Sequence, residues 1–344
     1  MNIVLCEYAE RRKFTAGNKA RTDTLKILME SGYSHIPLFR SKNNKIIILL
    51  QMVIGCLETF AKAGKDDLVF IQYPYYPAVV NRLLLLTLSL FRRIKGYRIV
   101  VLIHDMVGLR MEGNKTNNIS GEIEILNRAD HVICHNMSML NVIKKSAINR
   151  NVKLEVLGPF DYLYDGEPIN TSYNNRLEVI IAGNLSREKS GYVYKLHDLN
   201  EYIFNLYGVD YNDECHDNVR YLGQYPPDKL IENLQGNFGL VWDGEELVTC
   251  DGAYGEYLKY NNPHKFSLYL AAGIPLIVWS ESALASYVKA YDIGICVKSL
   301  KALNDELAVV TEERYNQLVN NVLNIRKDIV SGEHLKNVLR NLAN

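Results

Sequence analysis

Three stretches in the second half of the chain hold residues suited to gripping an anionic ligand. Gly183-Asn184-Leu185-Ser186-Arg187-Glu188-Lys189 follows the apolar run Leu177–Ala182, so a tight turn releases Arg187 and Lys189 beside a helix start. Gly223-Gln224-Tyr225 follows Val219–Leu222, where backbone groups and the ring of Tyr225 can meet a planar base. Asn261-Asn262-Pro263-His264-Lys265-Phe266-Ser267 opens a helical pattern; Asn262 is placed to cap it and Pro263 suits the first helical position. Free amides at such an end favour an anion, and Lys265 adds a full charge. Each segment alone also reads as an ordinary surface turn. On successive strand ends, where open parallel sheets bind ligands, they point together to one.

Between them, Trp242-Asp243-Gly244-Glu245-Glu246 leads into a stretch rich in Gly and Tyr up to Tyr260, without clear periodicity. Such a stretch usually forms a functional loop. Asp243 could hold sugar hydroxyls there, or simply form an Asp-Gly turn. In the first half, His104-Asp105 closes an apolar run. Either side chain could take a proton from a hydroxyl, or Asp105 could cap the following loop. Ala16-Gly17-Asn18-Lys19-Ala20-Arg21 leads from the first strand into a helix and puts Gly17, Lys19 and Arg21 on the side of an acceptor. His131 and His135 have the i, i+4 spacing of a helical zinc pair. Their run reads as a strand with no acidic third ligand, so no metal site is expected.

Several phosphate-binding devices are missing. None of the 22 glycines are two apart, which removes the dinucleotide fingerprint and with it a nicotinamide oxidoreductase. Gly64-Lys65 is followed by Asp, so there is no Walker loop, and no Asp-x-Asp pair is present to hold a divalent cation against a diphosphate. A diphosphate would therefore be met by protein cations and helix ends, with no cofactor.

The elements that must position these residues alternate short β-branched runs with helical patterns, the signature of parallel α/β units. Strands are predicted at 3–7, 68–73, 98–104, 131–135 and 153–157, then at 177–182, 202–207, 219–222, 238–242, 276–279 and 293–297. Helices are predicted at 19–31, 45–63, from Pro77 to 95, 228–234, 264–272 and 283–290, with everything from Thr311 helical. The polar, turn-rich stretch 161–175 reads as a linker, dividing the chain into an acceptor-side domain over 1–165 and a donor domain over 166–344. Each is a doubly wound, Rossmann-like unit, and a cleft between them is expected.

Composition fits this reading. The 344 residues are 48% hydrophobic and 23% charged, which excludes disorder and fibrous repeats. The 39 basic and 39 acidic residues cancel, against the profile of a nucleic-acid binder. The cancellation hides a dipole: residues 1–165 carry 23 basic and 15 acidic residues, a net of +8, and the remainder a net of −8. The positive half includes Arg11-Arg12-Lys13, and Arg92-Arg93 and Lys95 beside the apolar run Leu83–Phe91, which suits an anionic membrane surface or helps the domains close on each other. That apolar run could equally be core or an oligomer contact. The six cysteines form no C-x-x-C pair, and free thiols in a reducing cytosol are expected.

The resemblance is closer than architecture. Ile181-Ala182-Gly183-Asn184-Leu185-Ser186-Arg187, Leu206-Tyr207-Gly208-Val209, Tyr221-Leu222-Gly223, Phe238-Gly239-Leu240-Val241-Trp242-Asp243-Gly244 and Asn261-Asn262-Pro263-His264-Lys265 resemble bacterial O-antigen galactofuranosyltransferases of the GT-B class and the related glucosyltransferases that elongate glycans on streptococcal adhesins. Ala16-Gly17, Lys19-Ala20-Arg21, Asp23 and Leu102-Ile103-His104-Asp105 fit the same group. The resemblance implies a GT-B enzyme moving a hexosyl group, galactofuranose from UDP-galactofuranose or else glucose from UDP-glucose, onto a surface glycan. That acceptor could be lipid-linked, at the inner face of the cytoplasmic membrane. Lys265, Ser267 and Arg187 would meet the diphosphate, with Gly183, Asn184, Lys189, Gly223, Asp243, Asn262, Pro263 and His264 around the donor and Tyr221 to Tyr225 near the uridine. The paired glutamates of retaining GT-B enzymes are replaced by Tyr260 and Leu268, which favours inversion, with Asp105 or else His104 as base. A non-catalytic sugar-nucleotide-binding subunit is the alternative of another class.

Overall fold

The computed structural model describes residues 1–6, 16–38, 44–76, 78–110, 119–169, 172–173, 177–214 and 216–343. The chain divides into two compact units: 1–12, 20–158 and 335–344 form the first, 13–19 and 159–334 the second. The boundary thus falls at Gly158, earlier than the expected 165, and the last ten residues group with the first unit rather than the second. The basic run Arg11–Lys13 lies outside the described residues.

The first unit runs β1 (Ile3–Cys6), α1 (Ala16–Glu30), β2 (Ser34–Pro37), α2 (Lys45–Lys62), β3 (Leu68–Tyr73), α3 (Val79–Lys95), β4 (Arg98–Ile103), α4 (Val107–Arg110), α5 (Ile119–Leu126), β5 (His131–Cys134), α6 (Met137–Lys145) and β6 (Lys153–Val156). Its sheet is parallel throughout, ordered β2-β1-β3-β4-β5-β6. Strands sandwiched between helix layers read as unbroken apolar runs, which is why β3 and β4 stand out in the sequence. β2, Ser-His-Ile-Pro, carries no such run: it is a short edge strand in which proline is tolerated.

The second unit runs β7 (Glu178–Asn184), α7 (Arg187–Ser190), a 3-10 stretch (Gly191–Asp198), β8 (Ile203–Val209), β9 (Val219–Tyr221), α8 (Pro227–Asn233), β10 (Phe238–Val241), α9 (Gly252–Tyr257), α10 (His264–Ala272), β11 (Leu276–Trp279), α11 (Ala285–Tyr291), β12 (Gly294–Val297), α12 (Leu303–Leu307) and α13 (Glu312–Ser331). Its parallel sheet is ordered β12-β11-β10-β7-β8-β9. The chain adds β8 and β9 on one side of β7 and then returns to the other side for β10. The switch point therefore lies at the carboxyl ends of β7 and β10, where doubly wound sheets bind ligands. The helix expected from Thr311 breaks at Gly332 (φ 82°), and α14 (Glu333–Ala343) follows.

α10 packs tightly on this sheet. A side chain at Gly239 of β10 would stand 2.3 Å from the Tyr269 ring of α10, so only glycine admits the helix. The Tyr269 hydroxyl in turn accepts the Ala182 amide of β7 at 2.9 Å. Near the end of β8, Gly208 (φ 154°) lies against the Gly183 carbonyl, where a Cβ would clash at 1.7 Å. These contacts bring the start of α10 and the ends of β7 and β8 to one place.

Candidate functional site

A cavity of about 290 Å³ opens at that place. The β7 end supplies Ala182, Gly183 and Asn184, α7 supplies Lys189, and the β8 end supplies Tyr207, Gly208 and Val209. The segment after β9 gives Gln224, Tyr225, Pro227 and Leu230, and the start of α10 gives Pro263, His264, Lys265 and Leu268, with Tyr162 closing the wall. One side is aromatic and apolar, with the Tyr207 and Tyr225 rings 6.3 Å apart at 48°. The other side is cationic.

Lys265 is the best-anchored cation. Its Nζ donates to the Trp242 carbonyl at 2.7 Å and to Asp243 Oδ1 at 2.9 Å. An ammonium has three donors, so one N–H remains for a ligand. Burial pushes the Lys265 pKa below the usual lysine range, the Asp243 carboxylate pulls it back, and the nearby Lys189 charge lowers it further. Two neighbouring cations, one held at fixed geometry, make a place where added negative charge relieves repulsion. The residue at the N-cap of α10 is Pro263, not Asn262 as expected, and it makes no side-chain cap bond. His264 follows, stacked on Tyr162 with ring centroids 5.1 Å apart. Burial drives its pKa down to about 3, so the imidazole is neutral.

Other expected donor residues sit elsewhere. Asp243 is 3% exposed, accepts from Lys265 and does not line the cavity. Arg187 does not line the cavity: its guanidinium lies 3.8 Å over the Tyr194 ring and 3.9 Å from Asp213. Tyr221 donates to the Gly208 carbonyl and stacks on Tyr211, which stacks on Tyr194. Asn262 and Ser267 are buried, and neither they nor Gly223 line the cavity. The loop after β10 is ordered by Asp251, whose Oδ1 accepts the amides of Glu245 and Glu246. Tyr162, which sequence reasoning left unassigned, donates to the Pro227 carbonyl at 2.9 Å.

Of the acceptor-side candidates, Lys19 belongs to the second unit: its Nζ donates to the Leu163 carbonyl at 2.8 Å and lies 5.0 Å over the Tyr162 ring. Gly17 lies in the first turn of α1. Arg21 belongs to the first unit and donates to the carbonyls of Gln72 and Pro74.

The first unit gathers polar groups where β3 and β4 end. Asp105 Oδ2 pairs with Arg110 at 2.8 Å, while its Oδ1 is buried and finds no hydrogen-bond partner among the described residues. His104 Nε2 lies 2.8 Å from Gln72 Oε1. The Gln72 amide nitrogen points the other way, toward the Arg21 carbonyl and the Cys6 sulfur. The oxygen assignment therefore puts the His104 proton on Nε2, leaving the lone pair on Nδ1. Beside them the Glu122 carboxyl accepts the Tyr73 hydroxyl and the Gly108 amide, and burial raises its pKa. Gln72, Glu122 and Tyr73 gave no signal in the sequence, since glutamine and tyrosine inside an apolar run look like strand filler. His135 is buried with Nε2 on the Ile103 carbonyl at 2.9 Å, and burial drives its pKa down to about 4. Cys6, Cys56, Cys134, Cys250 and Cys296 form no disulfide among the described residues; Cys215 lies outside them.

Two parallel six-stranded sheets in tandem α/β units have the fold of the GT-B class of glycosyltransferases. Family models for the N-terminal and C-terminal domains of glucosyltransferase 3-like proteins match residues 2–157 and 179–342. The chain is 35% identical to the beta-1,6-galactofuranosyltransferase WbbI of Escherichia coli (strain K12), covering 94% of this chain and 93% of the relative. It is 28% identical to glucosyltransferase 3 of Streptococcus parasanguinis, covering 68% and 67%. Among solved structures, sucrose-phosphate synthase from Thermosynechococcus elongatus superposes with a TM-score of 0.67 at 13% identity, covering 99% of this chain and 98% of that one. The chain belongs to the glucosyltransferase 3-like family.

Proposed function

We propose that this glycosyltransferase moves a hexosyl group from a UDP-sugar to a sugar hydroxyl of a growing bacterial surface glycan, with inversion, galactofuranose being the first candidate and glucose the second. The observation that carries the reading is the identity to a galactofuranosyltransferase along nearly the whole chain, and the second unit's cavity is consistent with it. The aromatic side of the cavity fits a uracil ring, and Lys265, Lys189 and the free amides of α10 fit a diphosphate. The acceptor oxygen attacks the anomeric carbon as the bond to the diphosphate breaks. The hydroxyl proton passes to a base, and UDP leaves with its charge on the cations. These protein cations make the transfer independent of a metal.

Asp105 is the base this reading prefers: its Oδ1 is an acceptor with no donor among the described residues, and Arg110 holds the carboxylate in place. One observation favours His104 instead, the Gln72 contact that sets its tautomer. UDP-sugars are made in the cytoplasm, which places the reaction there; a lipid-linked glycan is the acceptor that fits. Incubation of the pure chain with UDP-galactofuranose or UDP-glucose, in EDTA, and glucose- or N-acetylglucosamine-terminated acceptors tests all of this. The expected product is a β-linked galactofuranoside. Intact UDP binding with no transfer from either donor would leave a sugar-nucleotide-binding subunit.

A further inference from the structure

α2 and α3 lie side by side in the first unit, with Phe60 and Phe91 in contact at 4.8 Å between ring centroids. Each buries one apolar face toward its sheet: Ile48, Met52 and Cys56 from α2, Val80, Leu84 and Leu88 from α3. Each also carries a second apolar stripe that faces outward. On α2 this is Ile46, Leu50, Ile54 and Leu57, between 54% and 67% exposed. On α3 it is Leu83, Leu86, Leu90 and Ile94, between 36% and 73% exposed. The spacing of three and four residues lines each set along one edge of its helix. Surface helices normally turn polar residues outward, and a helix apolar on both sides is one that something covers.

The charge around this face selects the cover. Lys62, Arg92, Arg93 and Lys95 stand where both helices end, and Lys45 stands at the start of α2. Glu58 offsets Lys62 and Asp130 offsets Arg92. Lys45, Arg93 and Lys95 have no carboxylate partner among the described residues, and Lys95 Nζ instead lies 5.1 Å over the Phe60 ring. A second copy docked isologously would press this net-positive rim against itself. An anionic bilayer surface complements it: apolar stripes enter the acyl boundary while the lysine and arginine stems reach the headgroups. Neither helix can cross the bilayer, since no helix among the described residues is long and apolar enough.

We infer that the α2–α3 face lies on an anionic lipid surface, seating the first unit in the membrane interface. This stands apart from the donor and acceptor assigned above, because its readout is lipid binding and not turnover. The test is sedimentation of the full chain with vesicles of phosphatidylcholine containing a quarter phosphatidylglycerol, against pure phosphatidylcholine. Binding to the anionic vesicles is expected to be at least about tenfold stronger. Leu50→Glu with Ile54→Glu should abolish it, and Arg93→Glu with Lys95→Glu should reduce it to the neutral-vesicle level. All four side chains are exposed or at the helix edge, and unchanged thermal midpoints confirm folding. Failure of the wild type to bind, equal binding to both vesicles, or binding untouched by either pair overturns the inference. So does a wild-type oligomer, seen by ultracentrifugation, that Leu50→Glu with Ile54→Glu splits without any lipid effect; that result would make the face a self-association surface.

Discussion

In the second unit's cavity Lys265 is bonded to its own neighbours before any ligand arrives, whereas Asp105 at the end of β4 in the first unit keeps one carboxylate oxygen without a partner among the described residues. Lys265 already holds the Trp242 carbonyl and Asp243, and Tyr207 and Tyr269 accept backbone amides. Asp105 pairs with Arg110 through one oxygen and leaves the other buried without a partner among the described residues. The contrast follows from the two jobs proposed. Stabilising a leaving group is electrostatic work, done best by donors fixed before the charge develops. Accepting a proton needs a lone pair that nothing else has taken.

The largest effect should come from that lone pair. Asp105→Asn keeps the shape and removes the basicity, and kcat is expected to fall by about a thousandfold with donor KM little changed. Steady-state assays with saturating acceptor check this; near-normal kcat would move the role to His104. Lys265→Ala comes next, with kcat/KM down about a hundredfold and UDP binding weakened in calorimetry. This substitution also strands the Asp243 carboxylate in a buried site, which is itself destabilising. Lys265→Met combined with Asp243→Asn removes both charges, so it should regain thermal stability without regaining turnover.

Both units hold a histidine that burial keeps neutral, His135 in the first and His264 in the second. Their folded pKa values, about 4 and about 3, lie below the unfolded value near 6.5, so the unfolded chain binds the proton first. Stability is therefore full above about pH 6.5 and falls as pH drops toward the folded values, by about 2 kcal/mol for each histidine at pH 5. Denaturant melts between pH 7 and pH 5 measure the fall. His135→Gln, which can still donate to the Ile103 carbonyl, should remove its share.

The second unit was also the more legible in sequence. Pro263 and Gly273 bracket α10, and the predicted helix 264–272 coincides with the observed one. β3 and β11 likewise coincide, because fully buried parallel strands are written as apolar runs bounded by turns. What could not be read were partnerships between distant residues. Asp243 followed by glycine looks like a turn, and only packing shows it buried beneath a lysine twenty-two positions on. Arg187 looks poised beside a phosphate loop until Tyr194 takes its guanidinium. Gln72 is hidden by the apolar run around it, yet it determines which nitrogen of His104 carries the proton.

That glutamine offers the finest test of the two bases. Gln72 is fully buried, and its Oε1 lies 2.8 Å from His104 Nε2. Gln72→Glu puts a carboxylate opposite the same N–H, which stabilises the imidazolium form and makes the ring a stronger base. If His104 takes the acceptor proton, the ring must be neutral to act. The acid limb of the kcat profile should then move to higher pH by about one unit, an effect of about 1.4 kcal/mol. If Asp105 takes it, the added charge stands beside a residue that does not titrate in the reaction, and the limb should stay where it is while kcat changes by less than about threefold. His104→Asn separates the cases further: it deletes an imidazole base outright, but leaves a carboxylate base working.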